Sequence, residues 1–238
     1  MTKRIIYSTG FFSILLSMVI SSCTDCIEGN GKMATRTAKF TEITAINLSV
    51  SADVKIVADS TGMVSISGES NIIEAIILEQ KGTNLRITSE PCFSANEPVI
   101  ITIPMKNVSN IQINGSGDVK SEVKLSASDL ELGINGSGDI DLEVDAANVL
   151  SKINGSGNVN LKGASQRHKI EINGSGNVNA EKFPTGNIGI TVNGSGDCNV
   201  FATTALGIKI RGSGSVYYSG APDISSDIKG SGSLEKLK

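Results

Sequence analysis

The 238-residue chain has no tryptophan, three tyrosines and six phenylalanines, so aromatic platforms for sugar rings or nucleic-acid bases are scarce. Its only histidine, His168, lies in the polar stretch Ala164-Ser165-Gln166-Arg167-His168-Lys169. The sequence implies no acid, cysteine or serine partner for it, and we expect a surface position in a loop between repeats. Lys162, Arg167 and Lys169 make that loop locally basic, but a net charge of -3 gives no case for nucleic acid. The four cysteines, Cys23, Cys26, Cys92 and Cys198, fit no zinc spacing. No long stretch carries a 3.6-residue apolar period, which leaves little room for helix.

What the chain does have is one phrase repeated. Asn-Gly-Ser-Gly, preceded by Ile or Val and followed by Asp or Asn, begins at Ile113, Ile134, Ile153, Ile172 and Val192. Altered copies follow at Ile210-Arg211-Gly212-Ser213-Gly214-Ser215 and Ile228-Lys229-Gly230-Ser231-Gly232-Ser233. The steps are 21, 19, 19, 20, 18 and 18 residues. Such a period marks a solenoid, whose units bury their apolar faces only by stacking. Around each phrase the apolar residues alternate, as in Leu130, Leu132, Ile134 and then Ile140, Leu142, Val144. Period two means strands with one face inward. Each unit reads as strand, glycine corner, strand and short loop. A hairpin array competes, because Asn-Gly between alternating strands is a hairpin signal. An all-β parallel β-helix, or β-solenoid, with repeats of about 19 residues explains the identical corners better, since they would stack into ladders.

Residues 1–22 read as a targeting segment. Lys3 and Arg4 precede the apolar stretch Phe11 to Ile20, which is too brief to span a bilayer, and the segment ends Ser21-Ser22-Cys23. This resembles a bacterial lipoprotein signal, which implies a lipid on Cys23 and attachment to a membrane; the alternative is an ordinary secretory signal. Residues 23–36 read as a lipid-anchored tether and 37–238 as a single β-helix domain. Within it, 37–110 would be irregular first coils or a small cap, 111–233 the repeat coils and 234–238 the end. Asn71 to Gln80 fits a helical turn or a strand. Arg211 and Lys229 place charge on the final coils, as an exposed sheet edge requires, and Leu234 and Leu237 could fold over it.

The order Phe40-x-x-Ile43, Ser51-Ala52-Asp53-Val54-Lys55-Ile56, Val64-Ser65-Ile66-Ser67-Gly68, Asn71-Ile72-Ile73 and Gly82-Thr83-Asn84-Leu85-Arg86-Ile87, followed by the Ile-Asn-Gly-Ser-Gly-Asp repeats, resembles the head GIN domain family. The likeness covers about residues 38–235. It implies a right-handed β-helix and an adhesin-like protein, secreted or lipid-anchored, of Bacteroidetes-type bacteria. It brings no catalytic residues to carry over.

Two rows carry the candidate chemistry. Asn114, Asn135, Asn154, Asn173 and Asn193 would either bond one another along the axis or display amides to a sugar. Asp118, Asp139, Asn158, Asn177 and Asp197 would either bond the backbone that follows them in the corner or bind calcium. The calcium reading is weak: calcium repeats recur every nine residues, and here some positions are neutral. No metal site or cofactor is otherwise expected. Cys198 occupies the strand position of Ile140, Val159 and Val178 and should be buried; Cys26 and Cys92 are able to pair in an oxidising compartment. β-Helix enzymes on polysaccharides need clustered carboxylates or a basic residue in a groove, and here the acids are spread one per coil. The expectation is therefore a non-enzymatic, adhesin-like lipoprotein of the cell envelope, at the outer membrane, with a glycan or protein ligand. A structural or assembly component of the envelope is the first alternative, and a polysaccharide-processing β-helix enzyme the second.

Overall fold

The computed structural model describes residues 26–59 and 61–237. Strand makes up 71% and helix 3%, arranged as stacked parallel coils of about 19 residues in a β-solenoid of about 7 turns. The expected leader at 1–22, and Cys23, lie outside the described residues.

The first elements are β1 (Ile27–Glu28), β2 (Met33–Lys39), β3 (Ala45–Leu48), β4 (Asp53–Val57), β5 (Met63–Glu69), α1 (Ser70–Ala75) and β6 (Ile76–Lys81). Then come β7 (Asn84–Ser89), β8 (Phe93–Ser94), β9 (Ile100–Pro104) and β10 (Asn110–Gly115). The repeat coils are β11 (Asp118–Gly136), β12 (Ile140–Gly155), β13 (Val159–Gly174), β14 (Val178–Gly194) and β15 (Cys198–Gly212). The chain closes with β16 (Val216–Gly220), β17 (Asp223–Gly230) and β18 (Leu234–Lys236).

Each coil pairs in parallel with the next, and the motif fixes the register: Ile134 faces Ile153, Ile153 faces Ile172, and Ile172 faces Val192. These residues, with Ile113 and Ile210, have no exposed surface, so the core is a column of like side chains. In the coils β11 to β15 the loop expected between strands is replaced by continuous strand. The strand runs unbroken from Ile140 to Gly155, for example, up to the Gly-Ser-Gly corner, and neighbouring coils shift register locally, as between Lys120 and Lys124.

That corner requires both of its glycines. Gly155 has φ 138°, a region that L side chains rarely adopt, and a Cβ there would strike the Gly136 carbonyl. Gly157 has ordinary backbone, but a Cβ on it would strike the Gly138 carbonyl. Coil stacks on coil so closely because the amides of Ser175 and Gly176 both donate to the Gly155 carbonyl, at 2.9 and 3.1 Å.

Ahead of the repeats, β3, β4, β7, β9 and β10 already run in the parallel stack. The antiparallel strands β2, β5 and β6 and helix α1 close that end, with Ile72 and Ile73 buried beneath it. The N-terminal region thus combines irregular first coils with a cap. Asn71–Gln80 divides between both expected states, α1 and then β6.

The expected tether does not extend to residue 36. Cys26 is disulfide-bonded to Cys92, β1 pairs with β8, and β2 pairs with β5. The carboxylate of Glu69 has no exposed surface and fastens this segment, accepting the N–H groups of Gly31 (2.6 Å) and Asn96 (2.8 Å). The Gly31 bond, with those from Asn96, outweighs burial and holds the Glu69 carboxyl below its usual range. At the other end, Leu234 does not fold over the edge; β18 adds to the stack in parallel on β16.

Candidate binding face

The first ladder stands at the corner, on the residue before the positive-φ glycine. Nδ2 of Asn135 donates to Oδ1 of Asn114 at 3.0 Å, Asn154 to Asn135 at 2.9 Å, Asn173 to Asn154 at 3.0 Å and Asn193 to Asn173 at 2.9 Å. Asn114 continues the row to Asn47, which lies outside the repeat phrase. Asn135 to Asn193 are exposed. A primary amide has two N–H donors and two acceptor lone pairs. The ladder uses one donor and one lone pair of an interior rung, leaving the others directed to solvent at each coil, about 4.8 Å apart.

The second row is built differently. Oδ1 of Asp118 accepts the backbone N–H of Asp139 (2.8 Å), and Asp139, Asn158, Asn177 and Asp197 repeat this toward Asn158, Asn177, Asp197 and Ser215. The backbone partner lies one coil on, not in the residue's own corner as the turn reading expects. Burial, reinforced by the nearby charges of Asp139 and Asp53, raises the Asp118 carboxyl above its usual range. Among the described residues, no three His, Cys, Asp or Glu side chains gather closely enough to hold a metal ion.

Two further ladders escaped the sequence reading. Asn179 donates to Asn160 at 2.8 Å and Asn199 to Asn179 at 2.9 Å, two residues beyond the second row. Their constant offset from the motif was the available signal. On the strand before the corner, Asn148 donates to Asp129 (2.8 Å) and Arg167 to Asn148 (3.2 Å). Beside this last row lies an open cleft of about 550 Å³ lined in part by Ser109, Asp129, Glu131, Asn148, Arg167 and Lys169. Its charges are partly matched, with Lys152 on Glu131 at 2.9 Å and Lys169 on Glu171 at 2.6 Å.

His168 is not at the surface. It is 1% exposed, stacked in register with Val149 and Ile188, with its ring edge-on to Phe183 at 5.9 Å between centroids. Nε2 lies 2.8 Å from Oγ of the buried Ser151, and Nδ1 has no hydrogen-bond partner. A proton on Nε2, donated to Ser151, leaves Nδ1 a bare acceptor rather than a more costly orphan donor. Burial pushes the imidazole down to about 3. Alternation back from Ile172 and Ile170 already pointed this side chain inward; the polar neighbours concealed it. Cys198 is buried, as its strand position predicted, and burial pushes its thiol well above its usual range.

A stack of glycine-cornered coils with a closed first end is a specific architecture. The family model described as "Putative auto-transporter adhesin, head GIN domain" matches residues 39–222. This chain belongs to that family. Solved structures of similar shape include a "putative adhesin" from Bacteroides fragilis NCTC 9343, at 25% identity and TM-score 0.82, covering 89% of this chain and 100% of its own. A "putative lipid binding protein" from Parabacteroides distasonis ATCC 8503 has 25% identity and TM-score 0.73, covering 90% and 100%. A "putative adhesin" from Parabacteroides merdae ATCC 43184, at 18% identity and TM-score 0.71, shares the fold. No curated protein matches the chain. The family and these structures are described as adhesins or as lipid binding, not as enzymes.

Proposed function

We propose that this head GIN protein is a non-enzymatic, adhesin-like lipoprotein of the cell envelope that binds an extended glycan or protein surface. The observation that carries the reading is the Asn114–Asn193 ladder, exposed from Asn135 onward, whose free donors and acceptors recur once per coil in strict register. Each contact is weak, and the rigid spacing lets several form together, so affinity comes from avidity rather than from an enclosed pocket. The Asn160–Asn199 ladder extends the same display. The Asp118–Asp197 row serves as an inter-coil clip, because its Oδ1 atoms already hold the next coil's amides.

Lipid attachment at Cys23 and an outer-membrane position are supported by Lys3, Arg4, the apolar stretch to Ile20 and the small residues before the cysteine. The Cys26–Cys92 bridge suits an oxidising compartment outside the cytosol. The test is binding of the full chain in detergent to glycan and extracellular-matrix arrays, with calcium and with chelator. Saturable binding that weakens when Asn135, Asn154 and Asn173 are changed together to Ser, with the fold intact, is the expected result. Absence of binding in both conditions, or binding indifferent to that triple change, overturns the ladder as the ligand face.

A further inference from the structure

The two ends of the solenoid differ. At the N-terminal end α1 and the antiparallel strands cover the core, and side chains occupy the β6 edge: Arg36 Nη2 donates to the Ile76 carbonyl at 2.6 Å. At the C-terminal end β17 pairs, among the described residues, with β15 alone and is exposed along nearly its whole length. Its alternation is unchanged. Ile224, Ser226 and Ile228 align with Leu206, Ile208 and Ile210, which are fully buried one coil earlier. Ile224 is nevertheless 42% exposed, so the core column ends in solvent on a strand with a free edge.

We infer that this edge is the dimer interface of the protein, closed by β17 of a second copy running antiparallel about a two-fold axis at Ser226. Side-chain direction and charge select that register. Residues opposite each other on antiparallel strands point to the same face, so inward residues must meet inward residues. With Ser226 facing itself, Ile224 meets Ile228 on the core side. On the solvent side, Asp223 meets Lys229 twice, once on each half. Centring on Ser225 instead sets Asp223 against Asp227, and centring on Asp227 sets that carboxylate against its own copy. Centring on Ile228 shortens the overlap and competes for Asp227, which already binds Arg211 at 2.7 Å. Like charges directly opposite on neighbouring strands destabilise a pair. The favoured register thus pairs Asp223 through Lys229, extends the core across the axis and opposes unlike charges. A symmetric pairing of this kind closes on itself and does not form a filament. It is independent of the ligand-binding reading.

The test uses the full chain in detergent, with its mass followed by sedimentation over a range of concentrations. A dimer is expected. Asp223→Lys or Lys229→Asp alone should raise its dissociation constant by about tenfold or more, because both copies of the pair become repulsive. The double exchange, Asp223→Lys with Lys229→Asp, should restore it. Independently, Ser226→Cys should form a disulfide-linked dimer on oxidation. Ser225→Cys should not, since its copies stand diagonally at roughly 7–8 Å, beyond comfortable disulfide reach. The unsubstituted chain controls for bridging through Cys23. A monomer at every concentration, a dimer indifferent to the single reversals, or equal cross-linking at 225 and 226 overturns the proposal.

Discussion

Lowering the pH from 7 to 5 should destabilise this solenoid chiefly through His168, and the size of the effect follows from where that residue sits. Its imidazole is buried between coils, and burial lowers it from 6.5 to about 3. As the pH falls, the unfolded chain takes up the proton first. Stability is therefore full above about 6.5 and is lost between there and about 3. The loss is RT ln(1 + 10^(pKa − pH)) for the unfolded histidine, about 0.2 kcal/mol at pH 7 and about 2 kcal/mol at pH 5. The folded state binds almost no proton at either pH, so it offsets little of this. Since His168 is the chain's only histidine, its contribution is separable. Urea denaturation at pH 7 and pH 5, on the parent and on His168→Leu, measures the difference. Leucine suits a column that already holds Val149, Ile188 and Leu206, although Ser151 loses its partner and the absolute stabilities will shift. The parent should lose about 2 kcal/mol more than the variant between the two pH values. Equal losses would refute the buried, neutral histidine.

The corner makes a sharper structural contrast. Gly155→Ala, with φ 138° and a carbonyl in the way, should destabilise by roughly 2–4 kcal/mol. Gly189→Ala, where a Cβ meets nothing within 4 Å, should stay within about 0.5 kcal/mol by the same denaturation assay. Asn154→Ala removes one rung's donor to Asn135 and its acceptor for Asn173, and should cost about 1 kcal/mol, because exposed hydrogen bonds contribute at the low end. Cys92→Ser opens a loop with ends 66 residues apart and should lower stability by about 4 kcal/mol on a loop-entropy basis. The melting temperature should fall correspondingly, and native-state proteolysis should then begin within Cys26–Lys39.

The solenoid, its inward columns and its glycine corners were all readable from the order of residues. A parallel stack repeats one environment per coil, so each structural demand is written as many times as there are coils. The positions of Cys198 and of the two Asn and Asp rows were legible for that reason. His168 was legible too, through its alternation with Ile170 and Ile172, but its polar neighbours argued for the surface and the column was the better guide. Tertiary structure alone decided what happens once and is not repeated. The Cys26–Cys92 bridge depends on β1 lying against β8, and Glu69 is buried only because Gly31 and Asn96 converge on it from separate segments. Asn71–Gln80 changes from helix to strand where the cap meets the first coils. The side-chain partner in the second row also needed the stack, because a carboxylate can reach an amide one coil on only after the register is set. The same applies to the exposed β17 edge: its sequence alternates like any inner strand, and only its place at the end of the stack leaves Ile224 uncovered.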